Sequence, residues 1–205
     1  MFPARLLICG FGAFPAAPRN PAGAVVEALA DRAWAPAGTE ADYLVAPVAW
    51  DGSAEAIEAR LASHPADGVL IVGVAVQSRV FRVERLARNR ASTTSLDHAG
   101  ARRGAGEVIP AAPGELAATA PVEAMRCAIE ASELPVEMSD DAGDYLCNFT
   151  LYRILHGGLA PRVGFLHTPQ ASECVRGGAV TLAQVEAAVR AAAQAMASDL
   201  TPPIA

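Results

Sequence analysis

Two side chains of this sequence have the chemistry of a nucleophile and of its base. Cys147 follows a short apolar segment and a turn, and it stands at or near the start of an amphipathic helix. The positive end of a helix dipole favours a thiolate, and the free backbone N–H groups there can bind an oxyanion. His167 ends the apolar run 163–166, so both residues are expected at the carboxyl edge of a parallel sheet. Together they predict a thiol nucleophile beside a general base.

Both residues also have ordinary explanations, which the spacing alone leaves open. Cysteine often behaves as a small buried hydrophobe, and a histidine at a strand end is often only structural. The four histidines are not paired at metal-ligand spacing, which predicts no metal site. A dinucleotide cofactor is not predicted either, because Pro15 stands where the G-x-G-x-x-G pattern beginning at Gly10 needs its third glycine. We therefore expect no cofactor.

Composition excludes several other functions. All 16 basic residues are arginine, so a Schiff-base lysine, a Ser-Lys dyad and a Walker-type phosphate loop are impossible. The net charge of −6 argues against a nucleic-acid partner. No apolar run approaches the roughly 18 residues of a membrane span, and the first five residues do not read as a secretory signal. Four widely separated cysteines predict free thiols, and hence a cytoplasmic protein with no membrane partner.

The segments that must position Cys147 and His167 alternate between strand and helix. Strands are predicted at 6–9, 43–45, 68–72, 135–139 and 162–167, and helices from Asn20-Pro21, at 53–63, from Pro121, at 147–156 and at 181–200. Alternation of this kind predicts one α/β domain over residues 1–205, a three-layer αβα sandwich with a mostly parallel sheet. Residues 80–86 fit either a helix or a strand, and 90–118 predict a long connection with little regular structure.

Arginines recur through residues 79–90, at helical spacing over the first four. Such a series can bind an anion or a nucleic acid. A solvated face, or structural ion pairs with Glu84, is the interpretation that we favour.

Four ordered segments resemble the pyroglutamyl peptidase I family of cysteine peptidases. They are LICGFGAF at 7–14 with Asn-Pro at 20–21, G-x-A at 73–75 with VERLARN at 83–89, AGDYLCN at 142–148, and GFLHTP at 164–169. The resemblance implies Cys147 as nucleophile, His167 as base and Glu84 as the group that orients the histidine. It also implies a strand over 80–86, and hydrolysis of an N-terminal pyroglutamyl residue from peptides through a thioester. Family members often form dimers or tetramers, so a homodimer or homotetramer is implied as well.

The same resemblance implies the substrate pocket. Phe11, Phe14, Tyr145 and Leu146 match the family's positions around the pyroglutamyl ring. That ring is a flat, uncharged lactam, which suits an apolar aromatic slot better than an acidic site. Ordinary core packing is the alternative for both phenylalanines.

Three segments depart from the family pattern. Gln77-Ser78 replace a glycine-arginine pair, Thr94 replaces an arginine near the reacting carbonyl, and Asp140-Asp141 replace Asn-Ser or Asn-Thr. Another arginine, such as Arg79 or Arg90, is a candidate substitute. These changes leave two further hypotheses: a triad acting on another acyl-amide or cyclic amide, and a non-catalytic binding protein with the same fold.

Overall fold

The computed structural model describes residues 3–200, and within that range it contains eight strands and five helices. They are β1 Ala4–Phe11, α1 Pro21–Asp31, β2 Thr39–Ala46, α2 Ser53–Ser63, β3 Gly68–Val74, β4 Phe81–Glu84, β5 Leu86–Arg88, β6 Glu115–Ala117, α3 Val122–Ala131, β7 Val136–Ser139, α4 Leu146–Gly157, β8 Arg162–Thr168 and α5 Leu182–Leu200. The start of the chain, from which no secretory signal is predicted, lies partly outside the described residues.

Six of these strands form one sheet in the order β2-β1-β3-β8-β4-β7. The strands β2, β1, β3 and β8 are parallel, whereas β4 runs antiparallel to β8 and β7 runs parallel to β4. The prediction of an α/β fold with a mostly parallel sheet is confirmed. The strand implied for 80–86 is also present, as β4 and the beginning of β5.

Helices cover both faces of the sheet and complete three layers. Apolar residues of α1, α3 and α5 pack with Leu6 and Ile8 of β1, while those of α2 and α4 pack with Leu7 and Cys9 of the same strand. Alternate residues of a strand point to opposite faces, so a continuous apolar run such as β1 or β3 fills both cores. None of the helices within residues 3–200 is long and apolar enough to cross a membrane.

The predicted helix starts at Asn20 and Thr181 are confirmed. The Asn20 side chain accepts a hydrogen bond from the Ala22 N–H, and Pro21 opens α1. Before α5, the Gln184 amide oxygen accepts from the Thr181 N–H, while the Thr181 hydroxyl accepts from the Gln184 N–H. These reciprocal bonds satisfy N–H groups that a helix start leaves free.

The long connection after β5 is more ordered than the sequence predicts. Residues 115–117 form β6, which pairs with β5 in a small antiparallel sheet. Asn89 fixes the stretch between them, because its side chain accepts from the N–H groups of Val108 and Ile109 and donates to the carbonyls of Ile109 and Ala112. The pairing joins parts of the chain that are distant in sequence, so no local pattern predicts β6.

The direction of β7 corrects the reasoning that placed Cys147 at the carboxyl end of a parallel strand. In the sheet register, Ser139 at the end of β7 lies level with Glu84 and Phe165, whereas His167 lies two residues further along β8. Two residues of strand correspond to about 7 Å. The turn after β7 therefore has to carry the chain back toward the level of His167 before α4 begins.

Candidate active site

Cys147 is the second residue of α4, which begins at Leu146, one residue earlier than the predicted start at Cys147. The preceding residue, Tyr145, gives the helix no side-chain cap, so N–H groups of the first turn remain available. Gly143 has a φ of 86°, a left-handed conformation that glycine adopts without strain, and it turns the chain into the helix. The free N–H groups and the thiol therefore occupy the same end of α4.

Gly73 of β3 makes room for the thiol. A Cβ atom at this position would stand 3.0 Å from the Cys147 Sγ and 2.7 Å from Cζ of Phe165. Only hydrogen fits there, so glycine lets the nucleophile and the aromatic ring lie directly against the sheet. In the register of β3 and β8, Gly73 is the partner of His167, which brings Cys147 to the level of the histidine.

Asn148 fixes the start of α4 against β5. Its buried amide accepts from the Arg88 N–H at 2.8 Å and donates to the carbonyls of Arg88 and Arg90, also at 2.8 Å. A helix start bound in this way cannot slide along the sheet without breaking three hydrogen bonds. The residue after the thiol thus holds the thiol in position.

His167 and Glu84 form a buried pair. The His167 Nδ1 lies 2.8 Å from the Glu84 Oε1, and the Glu84 side chain is fully buried. Both residues project from the sheet face that α4 covers, because β4 and β8 place them on the same side as Phe165. Cys147 lies beside the same imidazole and is one of the groups that raise its pKa. With Nδ1 occupied by the carboxylate, Nε2 is the nitrogen that remains for the thiol.

The surroundings of His167 favour its charged form. Burial lowers the pKa of the imidazole, but the hydrogen bonds and negative charge of Cys147 and Glu84 outweigh burial and raise the pKa to about 9. An imidazolium at neutral pH stabilises a neighbouring thiolate and holds the proton that a leaving amine needs. The imidazole beside Cys147 can therefore serve as the proton donor of the reaction.

A narrow apolar slot opens beside Cys147. All four residues predicted to contact the ring line it, together with four others: Phe11, Phe14, Tyr145 and Leu146, with Asn20, Val48, Val74 and Cys147. The core-packing alternative also holds in part, because the buried Phe11 ring packs against the Phe165 ring in a tilted arrangement, with 6.5 Å between the ring centroids.

Contacts on the side of Tyr145 away from the slot fix its ring in the slot wall. Trp50 meets the Tyr145 ring edge-on at 5.2 Å, and the Tyr145 hydroxyl donates to the Leu96 carbonyl at 2.9 Å. Asp97 accepts from the Trp50 N–H at 3.0 Å, which attaches the 92–98 loop to the same group. Aromatic packing and backbone hydrogen bonds together make this wall of the slot rigid.

On its other side, Cys147 faces an open groove of about 420 Å³. The groove has an apolar wall of Phe14, Val74, Ala75 and Val76 and a polar wall that includes Arg82, Asp141 and His167. Slot and groove meet at the thiol. A substrate can therefore place a compact apolar group in the slot and extend the rest of its chain along the groove.

The arginines of residues 79–90 form ion pairs, which is one of the two interpretations favoured from the sequence. Their partners, however, lie mainly in the turn after β7. Arg85 binds Asp140, Arg90 lies 2.7 Å from Asp141, and Arg82 lies 3.9 Å from Glu84. Arg79 and Thr94 are both exposed, and neither lines the slot or the groove. Of the arginines in this series, Arg82 is the one that lines the groove beside the thiol.

Sequence reasoning missed Arg82, Asp141 and the slot residue Asn20 as parts of the site. A signal for Arg82 was present, since it stands two positions before Glu84 and must share its face once 81–84 is a strand. No comparable signal marks Asp141, because its position depends on a turn.

Comparisons with known proteins extend the picture to the whole chain. The family described as pyroglutamyl peptidase matches residues 4–199. A pyrrolidone-carboxylate peptidase from Gloeobacter violaceus is 31% identical over 172 residues, 82% of this chain and 83% of the relative. One from Thermococcus onnurineus is 30% identical over 169 residues, 80% and 83% respectively. A mutant pyrrolidone carboxyl peptidase from Pyrococcus furiosus shares the fold, with a TM-score of 0.89 at 24% identity over 96% of this chain and 100% of that one.

Proposed function

Because this chain belongs to the pyroglutamyl peptidase family, we propose that it is a cysteine peptidase that removes N-terminal pyroglutamate from peptides. The observation that carries the proposal is the position of Cys147. It lines one groove together with His167, and it stands where an apolar slot meets that open groove. We assign the catalytic roles to Cys147, His167 and Glu84, and the binding of the acyl group to Phe11, Phe14, Tyr145 and Leu146.

The first half of the reaction forms a thioester. The Cys147 thiolate attacks the exocyclic carbonyl carbon of the pyroglutamyl residue, and the carbonyl electron pair moves to oxygen. Backbone N–H groups at the start of α4 face this oxyanion and stabilise it. When the tetrahedral intermediate collapses, the C–N bond breaks and His167 gives its proton to the departing amine. The peptide, now with a free amino terminus, leaves through the groove.

The second half restores the enzyme. His167, now neutral, takes a proton from water, and the resulting hydroxide attacks the thioester carbonyl. Collapse of this intermediate releases pyroglutamate and regenerates the thiolate beside the imidazolium. Glu84 accepts a hydrogen bond from Nδ1 throughout, so Nε2 always faces the reacting atoms.

The slot explains why a cyclised residue is the substrate. A pyroglutamyl residue has no charged amino group, and the residues around the slot other than Asn20 and Cys147 are aromatic or aliphatic. An unmodified amino terminus would lose its hydration there without gaining a carboxylate partner. The slot is therefore selective for an uncharged ring.

The natural substrates we propose are peptides with N-terminal pyroglutamate. The four cysteines are free thiols, which supports a reducing compartment such as the cytoplasm. For the assembly we propose a homodimer or homotetramer, which light scattering of the purified protein tests.

The deciding experiment measures release of the chromophore from a pyroglutamyl anilide under reducing conditions, with Cys147→Ala beside the wild type. Turnover that the Cys147→Ala variant loses by about 10³-fold or more is expected for a covalent nucleophile. A panel of acetyl, prolyl and other acyl anilides tests acyl specificity. Faster turnover of a different acyl group assigns that substrate class instead, and no turnover of any anilide by fully reduced protein refutes the peptidase.

A further inference from the structure

Arg82 stands directly opposite His167 in the sheet. The two residues are partners in the antiparallel register of β4 and β8, and Glu84 follows two positions later on the same face of β4. Side chains of opposed strand residues start about 5 Å apart. Arg82 is thus a neighbour of both members of the buried pair, and its Nε lies 3.9 Å from the Glu84 Oε1.

The same guanidinium reaches the turn that leads to the nucleophile. Its Nη2 donates to the buried Ser139 hydroxyl at 2.6 Å and to the Asp141 carbonyl at 3.3 Å. Ser139 in turn accepts from the Asp141 N–H at 3.2 Å. Glu137 of β7 lies 3.3 Å from the Arg82 Nε and supplies further negative charge. Arg82 therefore lies beside Glu84 of its own strand and also contacts the turn before α4.

We propose that Arg82 is a positioning residue of this reaction, which couples the Glu84–His167 pair to the 139–141 turn and so to Cys147. The inference rests on the proposed function. A planar guanidinium suits this role, because its nitrogens donate in fixed directions to several acceptors at once. The turn must bring the chain back toward the level of His167, and Arg82 binds it while it does so.

Arg82 also places a positive charge beside the reacting groups. The charged and titratable groups around His167 are Glu84 on β4, Cys147 on α4, Asp141 on the turn and Arg82 itself, whereas β3 carries none. A cation in this position favours the Cys147 thiolate and opposes the imidazolium. Both ionisations therefore occur at lower pH with Arg82 present than they would without it.

The test compares Arg82→Gln, Arg82→Lys and Arg162→Gln with the wild type. Arg162 is the matched control, because it is a half-exposed arginine on β8, the strand of His167, but at the opposite end of that strand, where it pairs with Asp199 of α5 outside the slot and the groove. For Arg82→Gln we expect kcat to fall by about 10- to 100-fold with KM changed by less than about threefold. Both limbs of the pH profile should move upward by about half a unit to one unit.

Arg82→Lys separates charge from geometry. The lysine variant should keep the wild-type pH profile and lose part of kcat, since an ammonium group cannot donate to several acceptors in the fixed directions of a planar guanidinium. Arg162→Gln should match the wild type in kcat and in pH profile. Thermal unfolding of each variant reports whether the fold is retained.

A second measurement makes the result independent of turnover. The rate at which iodoacetamide alkylates Cys147 is followed against pH. For Arg82→Gln, the pH at which this rate rises should again move upward by about half a unit to one unit. An alkylation profile identical to the wild type overturns the role of Arg82, whether or not the anilide is hydrolysed. Absence of hydrolysis with a shifted profile overturns the proposed function and leaves the role of Arg82 supported.

Discussion

Replacing Glu84 by glutamine tests how the triad works, because it removes a charge and keeps the shape. The carboxylate lies 2.8 Å from the His167 Nδ1 and is fully buried. At an effective dielectric constant of about 20, opposite charges at this distance attract by roughly 6 kcal/mol. The amide oxygen of glutamine retains a neutral hydrogen bond of about 1.5 kcal/mol. Roughly 4 kcal/mol of imidazolium stabilisation is lost, so kcat/KM should fall by about 10³-fold.

The same substitution has a signature in the pH profile. Glu84 is one of the groups that raise the pKa of His167 to about 9, against the opposing effect of burial. A pKa near 9 predicts that wild-type kcat/KM declines above about pH 9, as the imidazolium loses its proton. Without the carboxylate the pKa falls, so the alkaline limb of Glu84→Gln should lie at lower pH.

The assay is hydrolysis of a pyroglutamyl anilide between about pH 5 and 10, with the pH range limited to where the variants remain folded. Glu130→Gln on the surface of α3 is the matched control, because among the described residues 3–200 its carboxylate pairs only with Arg126 of the same helix. A Glu84→Gln enzyme within about threefold of wild type, with its alkaline limb unmoved, would refute the role assigned to Glu84.

Two further predictions concern the thiol. Iodoacetamide at about pH 6 should alkylate Cys147 before the exposed Cys127, because only a thiol paired with an imidazolium is ionised there. Burial raises the pKa of the Cys9 and Cys174 thiols, so these two should also react more slowly. Peptide mass mapping that finds Cys127 labelled first contradicts the ion pair. Gly73→Ala should lower kcat/KM by about 10²-fold and destabilise the fold by about 1–3 kcal/mol, since its Cβ would displace the Sγ. Gly114→Ala, with open space at its Cβ, is the control, and an active Gly73→Ala enzyme contradicts the packing argument.

Sequence periodicity was sufficient for most of the fold. The run 68–72 and the pattern 53–63 announce β3 and α2 because each element buries a face that its own residues specify. Two features depended on contacts distant in the chain. The direction of β4 and β7 relative to β8 follows from how the loops cross the sheet, and β6 exists only because β5 pairs with it.

The residues of the site also fall into those that the sequence identifies and those that depend on contacts distant in the chain. Motifs pointed to Cys147, His167 and Glu84, and the structure brings these three together at one place. The substitution at Thr94 directed attention to Arg79 and Arg90, whereas Arg82 is the arginine that lines the groove. A motif identifies residues that resemble known ones, but it contains nothing about a side chain whose role follows from cross-strand pairing in this chain.

Burial of Glu84 makes the site depend on its neighbours. A fully buried carboxylate loses several kcal/mol of hydration, which its partners must offset for it to stay charged. His167 provides one hydrogen bond and Arg82 lies within 4 Å, while the Glu84 Oε2 accepts no hydrogen bond from residues 3–200. Removing either partner therefore leaves a poorly compensated charge inside the core. For this reason a substitution at Arg82 should affect the reaction although Arg82 takes no part in proton transfer, and a substitution at Arg162 should not.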